Sequence, residues 1–382
     1  MKLSNLYIYL SVVLLSALIL ILSAIALIAN ENNKNKSVVI AAPLKQIADQ
    51  HGIDVGNFAI NNHINDERYS SILTNHFNLA LLDNTPNWYF TDGGLRPSRN
   101  EYNFSQMDGL VSFAKKHDMA IQAHHFVWGE EKWLPDWLKN GNYNKEELLE
   151  IMKDHIYTVG KRYSGKVQEW TVVNEAHSRG QKFNNLKDWW KEALGDNKYI
   201  DNAFVWAREA DPQAKLILND FGNETYGSIS DEMYEYIKNA LLRGIPIDGV
   251  GFQMHIDGSN PPSKSEVIEN MRRFGSLGIN VYVTEFDVNM ANVNGSENTR
   301  NSTQAKIYYD MARACIESMV CKSFSILGIT DKETWYAYLG YQNSDPLIFD
   351  EEYNMKPSFC SLYEAFKEQP SEIKITTNHD KF

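Results

Sequence analysis

Positive charge is in short supply in this chain. Its 382 residues carry 37 Lys and Arg against 49 Asp and Glu, a formal net charge of −12. A surface that grips nucleic acid needs clustered Lys and Arg to displace counterions from phosphates, so no nucleic-acid partner is expected. Cysteine is scarce too. Cys315, Cys321 and Cys360 are the only three, which excludes a small scaffold stapled by disulfides. No Pro/Gly-rich linker interrupts the chain between about residue 45 and residue 368, so one domain is the simplest division of that body. Four motifs are also missing: a Gly-rich phosphate-binding fingerprint after the first candidate strand, G-x-S-x-G, and the zinc spacings H-E-x-x-H and H-x-x-E-H. Dinucleotide chemistry, a nucleophile elbow and a zinc protease site have nothing to rest on.

What the chain does have is apolar and aromatic bulk, 43% hydrophobic and 12% aromatic residues, enough for one large core. Nine Trp and twenty Tyr would suit stacking on neutral sugars, although filling the core is the ordinary role of any one of them. Residues 6–29 run without a charge, long enough to span a bilayer, and are expected to be a membrane anchor. A cleaved signal peptide ending near Ala24-Ile25-Ala26 is the alternative. Lys2 before the run and Lys34 and Lys36 after it are too balanced to orient it. The expected organisation is an anchor or signal peptide over 1–30, a polar linker over 31–44, the body over 45–368 and a polar tail over 369–382. An extracellular or cell-surface location and a monomer are the corresponding expectations. Sequons at Asn35, Asn103, Asn223, Asn294 and Asn301 are compatible with export, but Asn-rich chains produce them by chance. Cys315 and Cys321 are spaced to close a short loop, or to remain two buried thiols.

Along the body, eight apolar, β-branched runs predict strands: 55–60, 77–84, 119–126, 167–175, 215–220, 249–255, 281–287 and 323–331. Helix-period stretches lie between them, such as 105–117, 144–163, 230–244 and 302–318. Strand and helix alternating eight times point to a parallel sheet with crossover helices, and a closed (β/α)8 TIM barrel, an α/β fold, is the leading candidate. An open doubly wound sheet is the runner-up.

Each predicted strand ends in polar residues: Asn61 and Asn62, Asp83 and Asn84, His124 and His125, Asn174 and Glu175, Asn219 and Asp220, Gln253 and His255, Glu285 and Asp287, and Asp331. One such residue would ordinarily cap the next helix. Eight in order predict a catalytic face at the C-terminal rim of a barrel. Glu175 and Glu285 are the two glutamates among them, and paired carboxylates suit glycoside cleavage, one as acid and one near the anomeric carbon. A divalent metal held by the same Glu, Asp and His residues is the competing chemistry, without a motif to support it. The proposed chemistry calls for no cofactor and no metal.

At these residues the chain resembles glycoside hydrolase family 10, the endo-1,4-β-xylanase family. "WTVVNEA" (170–176) is similar to the family's W-D-V-V-N-E-A and "VYVTEFDV" (281–288) to I-T-E-L-D-V. "AHHFVWGEEKWLPDWL" (123–138) resembles G-H-x-L-V-W with P-x-W-L, "LILNDFG" (216–222) L-x-x-N-D-Y-N, and "GVGFQMH" (249–255) G-I-G-x-Q-x-H. The resemblance implies a retaining hydrolase of internal β-1,4 linkages in xylan or a related polysaccharide or oligosaccharide. Glu175 would be the acid/base and Glu285 the nucleophile, supported by His255 and Asp287. Sugar contacts would come from Asp83, Asn84, His124, Trp128, Asn174, Gln253, His255 and Trp335. The resemblance also implies a Cys315–Cys321 disulfide, since some members close the same spacing.

The departures are specific. Asp83 and Asn87 stand where the family has a glutamate and a lysine that bind sugar on the glycone side, and Leu327 where it has a tryptophan over the cleft. Gly129 replaces a frequent histidine, Phe221 a tyrosine, and Thr171 an aspartate, read here as a packing change. These departures keep a second function open: a catalytically weakened barrel that serves as a carbohydrate-binding surface protein.

Overall fold

A computed structural model describes residues 40–82, 94–178 and 186–369. The fold is that of the compact unit that begins at Ala42. The apolar run 6–29, the linker up to residue 39 and the tail from residue 370 lie outside the described residues. Among the described residues no helix is long and apolar enough to cross a membrane.

Among the described residues nine strands form: β1 Asp54–Ala59, β2 Leu79–Leu82, β3 Ala120–Trp128, β4 Glu169–Asn174, β5 Lys215–Asp220, β6 Gly249–Phe252, β7 His255–Asp257, β8 Asn280–Asn289 and β9 Cys321–Ile326. They pair in the order β6-β5-β4-β3-β2-β1-β9-β8-β7, and a further β6–β8 pairing joins the two sides into a ring of eight. Every pairing is parallel, with Gly56 opposite Leu79 in one ladder and Gly249 opposite Asn280 in the closing one. Parallel neighbours require crossovers, and helices supply them. The helix Lys145–Tyr163 starts in a capping box between Asn144 and Glu147 and buries Leu148, Ile151, Met152, Ile156, Val159 and Tyr163 on one face. The helix Lys264–Gly275 opens the same way on Ser263 and Glu266. The (β/α)8 barrel expected from the pattern is the fold, and the open sheet is not.

Three strands differ from the expectation in ways that move the predicted site residues. The run 249–255 is not continuous: β6 stops at Phe252, Met254 takes a left-handed φ of 59°, and His255 restarts a short strand against Asp287. His124 and His125 are not terminal, because β3 runs on to Trp128 through a shift in register between His124 and Val127. The last strand begins at Cys321 and ends at Ile326, short of Asp331. In the first two cases the backbone departs from regular pairing just where side chains must be turned into the barrel mouth. A disulfide joins Cys315, near the end of the helix Glu297–Ser318, to Cys321 at the start of β9, while Cys360 is free.

Away from the mouth, the carboxyl of Glu169 at the start of β4 is buried and accepts a hydrogen bond from Gln122 Nε2 at 3.0 Å. Burial first, then the nearby Asp54 charge, pushes it up to about 8 from an ordinary 4.5. The folded chain therefore keeps a proton that the unfolded chain releases. This stabilisation is fully present below about pH 4.5 and is lost as pH rises to about 8, at up to ~1.4 kcal/mol per pH unit. Glu169→Gln is expected to flatten that decline, measured as the denaturant midpoint at pH 5 and at pH 8; an unchanged slope would refute it.

Candidate active site

β4 ends at Asn174, and Glu175 leaves the strand in a left-handed conformation, φ 59°, with its N–H donating to Asn219 O at 2.9 Å. A non-glycine residue is held there at a cost of order 1 kcal/mol, so the surroundings must enforce it. Asp220, fully buried at the end of β5, does so by accepting from His177 N at 2.8 Å and Ser178 N at 3.1 Å. Burial pushes the Asp220 carboxyl up to about 7, against the hydrogen bonds of the Ser178 side chain and of those two amides. The Glu175 carboxyl is then aimed by two donors: Trp128 Nε1 to Oε2 at 2.7 Å, and Gln253 Nε2 to Oε1 at 3.2 Å.

The second carboxyl, Glu285 on β8, is joined to the first through amides. Asn219 Nδ2 donates to Glu285 Oε1 and to Asn174 Oδ1, both at 2.9 Å, and Gln253 Nε2 reaches the same Asn174 oxygen at 3.2 Å. With two donors on its oxygen, Asn174 has its amide orientation assigned, leaving its NH2 as the group offered to a ligand. Thr284 Oγ1 donates to Asn219 Oδ1 at 2.7 Å and so orients Asn219 as well. This packing requires a glycine on β6: a Cβ on Gly251 would lie 2.0 Å from Asn219 Oδ1.

Charge gathers on Glu285. His255 Nε2 lies 3.5 Å from Glu285 Oε2, its Nδ1 lies 3.1 Å from Asp287 Oδ1, and His124 Nε2 lies 3.7 Å from Glu285 Oε1. Burial opposes the charged imidazole, yet the Asp287 and Glu285 carboxylates hold His255 well above its usual range. Burial likewise opposes the Glu285 carboxylate, but facing His124, His255 and the Asn219 amide hold it below its usual range. Asp287, with no solvent exposure, also accepts from Trp335 Nε1 and from Tyr336 OH, each at 2.8 Å, and the Trp335 ring packs 4.9 Å from that of His255.

The structure thus gathers Glu175, Glu285, Asn174, Gln253, His255, Asp287, His124, Trp128 and Trp335 in one site. Asp83, Asn84 and Asn87 lie outside the described residues. Asp331 does not join the group: it pairs with Lys356 at 2.6 Å and accepts from Leu347 N at 2.7 Å, closing the C-terminal segment. Asn61 and Asn62 sit in a turn beyond the end of β1. Thr171 corrects the reading of a packing change, because its hydroxyl lies 3.3 Å from His124 Nδ1, one side chain away from Glu285. Leu327 packs against the cluster of Phe58, Leu79 and Leu81. Gly129 has no room for a larger side chain, since a Cβ there would lie 2.0 Å from Asp188 Oδ1. Asn219 and Tyr336 were given no role from sequence; the first stood in the series of polar strand ends and the second directly follows Trp335. Among the described residues no group of three or more His, Cys, Asp or Glu is arranged to hold a metal ion.

A family model described as glycosyl hydrolase family 10 matches residues 43–365. The chain is 36% identical over 337 residues to endo-1,4-beta-xylanase B of Thermotoga neapolitana, covering 86% of this chain and 93% of that protein. It is 32% identical over 300 residues to endo-1,4-beta-xylanase 1 of Humicola insolens, covering 78% and 67%. Among solved structures, native xylanase 10B from Thermotoga maritima is similar with a TM-score of 0.78 at 34% identity, over 85% of this chain and 98% of that one. Xylanase 10B from Thermotoga petrophila RKU-1, solved with xylobiose, is similar with a TM-score of 0.78 at 33% identity, over 87% and 99%.

Asp287 offers the sharpest test of this geometry. Asp287→Asn replaces one acceptor oxygen by a donor facing existing donors, and is expected to destabilise the fold by about 3–5 kcal/mol. Urea unfolding measures the loss, and a red shift of tryptophan emission should accompany release of the Trp335 indole.

Proposed function

The chain belongs to glycosyl hydrolase family 10, and from that premise we propose that this endo-1,4-β-xylanase-like glycoside hydrolase cuts internal β-1,4 linkages of xylan, or of a related β-glycan, with retention by double displacement. The observation that carries the reading is the amide bridge Glu175–Gln253–Asn174–Asn219–Glu285, which places two carboxyls with different surroundings around one amide donor.

In this reading Glu285 attacks the anomeric carbon while Glu175 delivers a proton to the leaving glycosidic oxygen. A covalent glycosyl-enzyme forms, and Glu175, now ionised, takes a proton from the water that hydrolyses it. The paired imidazolium of His255 keeps Glu285 ionised for attack. The free NH2 of Asn174 donates to the sugar 2-hydroxyl, a contact that strengthens as positive charge develops at the anomeric centre. Trp128 and Gln253 hold the acid/base carboxyl in line. Both carboxyls and these partners come from one barrel, which supports action as a monomer. We also propose an extracellular or cell-surface site of action, with residues 6–29 as an anchor or a cleaved signal; the Cys315–Cys321 disulfide supports an oxidising compartment.

Glu175→Gln is expected to lower kcat on xylan about 10²–10⁴-fold, and Glu285→Gln to abolish turnover. A 2-fluoro-xyloside should label Glu285, identified by peptide mass spectrometry. Sugar release that survives both substitutions would sink the assignment, and sugar binding without release by the unaltered protein would favour the carbohydrate-binding alternative. His255→Asn removes a cation that keeps Glu285 low, so the acidic limb of the kcat/KM profile should move to higher pH by about one unit; a limb that stays in place would refute the pairing.

A further inference from the structure

Two histidines flank Glu285, and what stands behind each ring differs. His255 Nε2 lies 3.5 Å from Glu285 Oε2, with the Asp287 carboxylate 3.1 Å behind it at Nδ1. His124 repeats the arrangement at the other carboxyl oxygen, its Nε2 3.7 Å from Glu285 Oε1, but its Nδ1 meets the Thr171 hydroxyl at 3.3 Å. A carboxylate can only accept, so it keeps a proton on the ring nitrogen it faces. A hydroxyl can also donate.

The proton of that hydroxyl decides which way the second contact runs. Thr171 stands opposite His124 in the β3–β4 ladder, at the last pair before the register of β4 shifts against both β3 and β5. Both side chains are buried, Thr171 completely. Among the described residues His124 Nδ1 is the sole hydrogen-bond partner of Thr171 Oγ1. A buried hydroxyl whose proton has no acceptor is costly, and Nδ1 is the acceptor in reach. The hydroxyl therefore donates, Nδ1 carries no proton, and the single N–H of a neutral ring sits at Nε2. An imidazolium would carry a proton on both nitrogens and strand that of Thr171.

The groups facing His124 agree with this assignment. Burial lowers its pKa, against the carboxylates of Glu285 on β8 and Glu175 at the end of β4. His125, next to it on β3, is held well below the usual range by burial and brings no charge. The neutral N–H still favours the Glu285 carboxylate through its dipole, more weakly than a cation would.

We propose that Thr171 is a positioning residue that holds His124 neutral, with its one N–H turned to Glu285, so that the nucleophile has one neighbouring cation, His255, and not two. The proposal rests on the reading of Glu285 as nucleophile and adds to it what sets the basicity of that carboxylate. With one cation beside it Glu285 keeps more of its basicity for attack, and activity has a higher acidic limit. A carboxylate at position 171 would reproduce the Asp287–His255 pair and bring a second cation to Glu285.

The test uses the full chain labelled with nitrogen-15 histidine, the His124 signals being those absent from His124→Asn. Between about pH 5 and pH 8, where a free imidazole titrates, His124 is expected to show an unprotonated Nδ1 and a protonated Nε2 throughout. Thr171→Asp should convert it to the doubly protonated form. The acidic limb of kcat/KM on xylan should then move to lower pH by about half a unit, because the new cation faces Glu285 while the new carboxylate lies behind the ring. Thr171→Val keeps the shape and removes the hydroxyl, so both nitrogens should report partial protonation, and Thr171→Ser should restore the single form. Thermal unfolding confirms that each variant is folded; if Thr171→Asp is not, Thr171→Val and Thr171→Ser decide. A purely structural Thr171 would change the unfolding temperature without moving the nitrogen signals. A His124 that carries two protons in the unaltered chain, or its one proton on Nδ1, would overturn the proposal, as would signals unchanged in Thr171→Val. Absence of sugar release by the unaltered chain would count against the hydrolase reading instead, and the nitrogen signals would then decide the proposal alone.

Discussion

The site depends on one carbonyl oxygen. Asn174 Oδ1 receives both Asn219 Nδ2 and Gln253 Nε2, and those amides also hold Glu285 and Glu175. Two buried carboxyls from different strands would be placed loosely by packing alone, because apolar contacts are non-directional. Directed amide bonds remove that freedom, at the risk that any unsatisfied member is expensive. The neighbouring residues answer that risk: Thr284 satisfies the Asn219 oxygen, Gly251 leaves room for it, and Asp220 holds the loop on which Glu175 turns out of its strand.

The same network separates the two carboxyls chemically. Glu285 faces His124 and His255 and is held ionised, while Glu175 receives an indole and a neutral amide and faces the loop pinned by Asp220. Asp287 sets this difference from behind by fixing His255, Trp335 and Tyr336 together. Among the described residues, two departures from the family pattern have a packing cause. Leu327 closes onto the Phe58 cluster, and Gly129 yields its space to Asp188. Thr171 touches His124, which in turn faces Glu285.

Much of this was legible in the residues. The eight β-rich runs and the helix-period stretches between them determined the barrel, because side-chain periodicity follows directly from backbone geometry. The polar residues that close those runs marked the rim where the site forms, and Glu175, Glu285, Asn174, Gln253 and His255 all meet there. Chain order could not tell which polar strand ends would meet. Asp331 shared the pattern of Asp287 but faces Lys356, because β9 ends before it and the chain turns away.

The sequence by itself determined the fold class, the family and the two glutamates, Glu175 and Glu285, that the site gathers, since each is carried by residue type at fixed spacing along the chain. Only the tertiary structure decided that Asn219 is the link between the carboxyls and that Thr171 lies beside His124. Those facts depend on distances across the ring, between strands brought together by folding, and such distances have no counterpart in spacing along the chain.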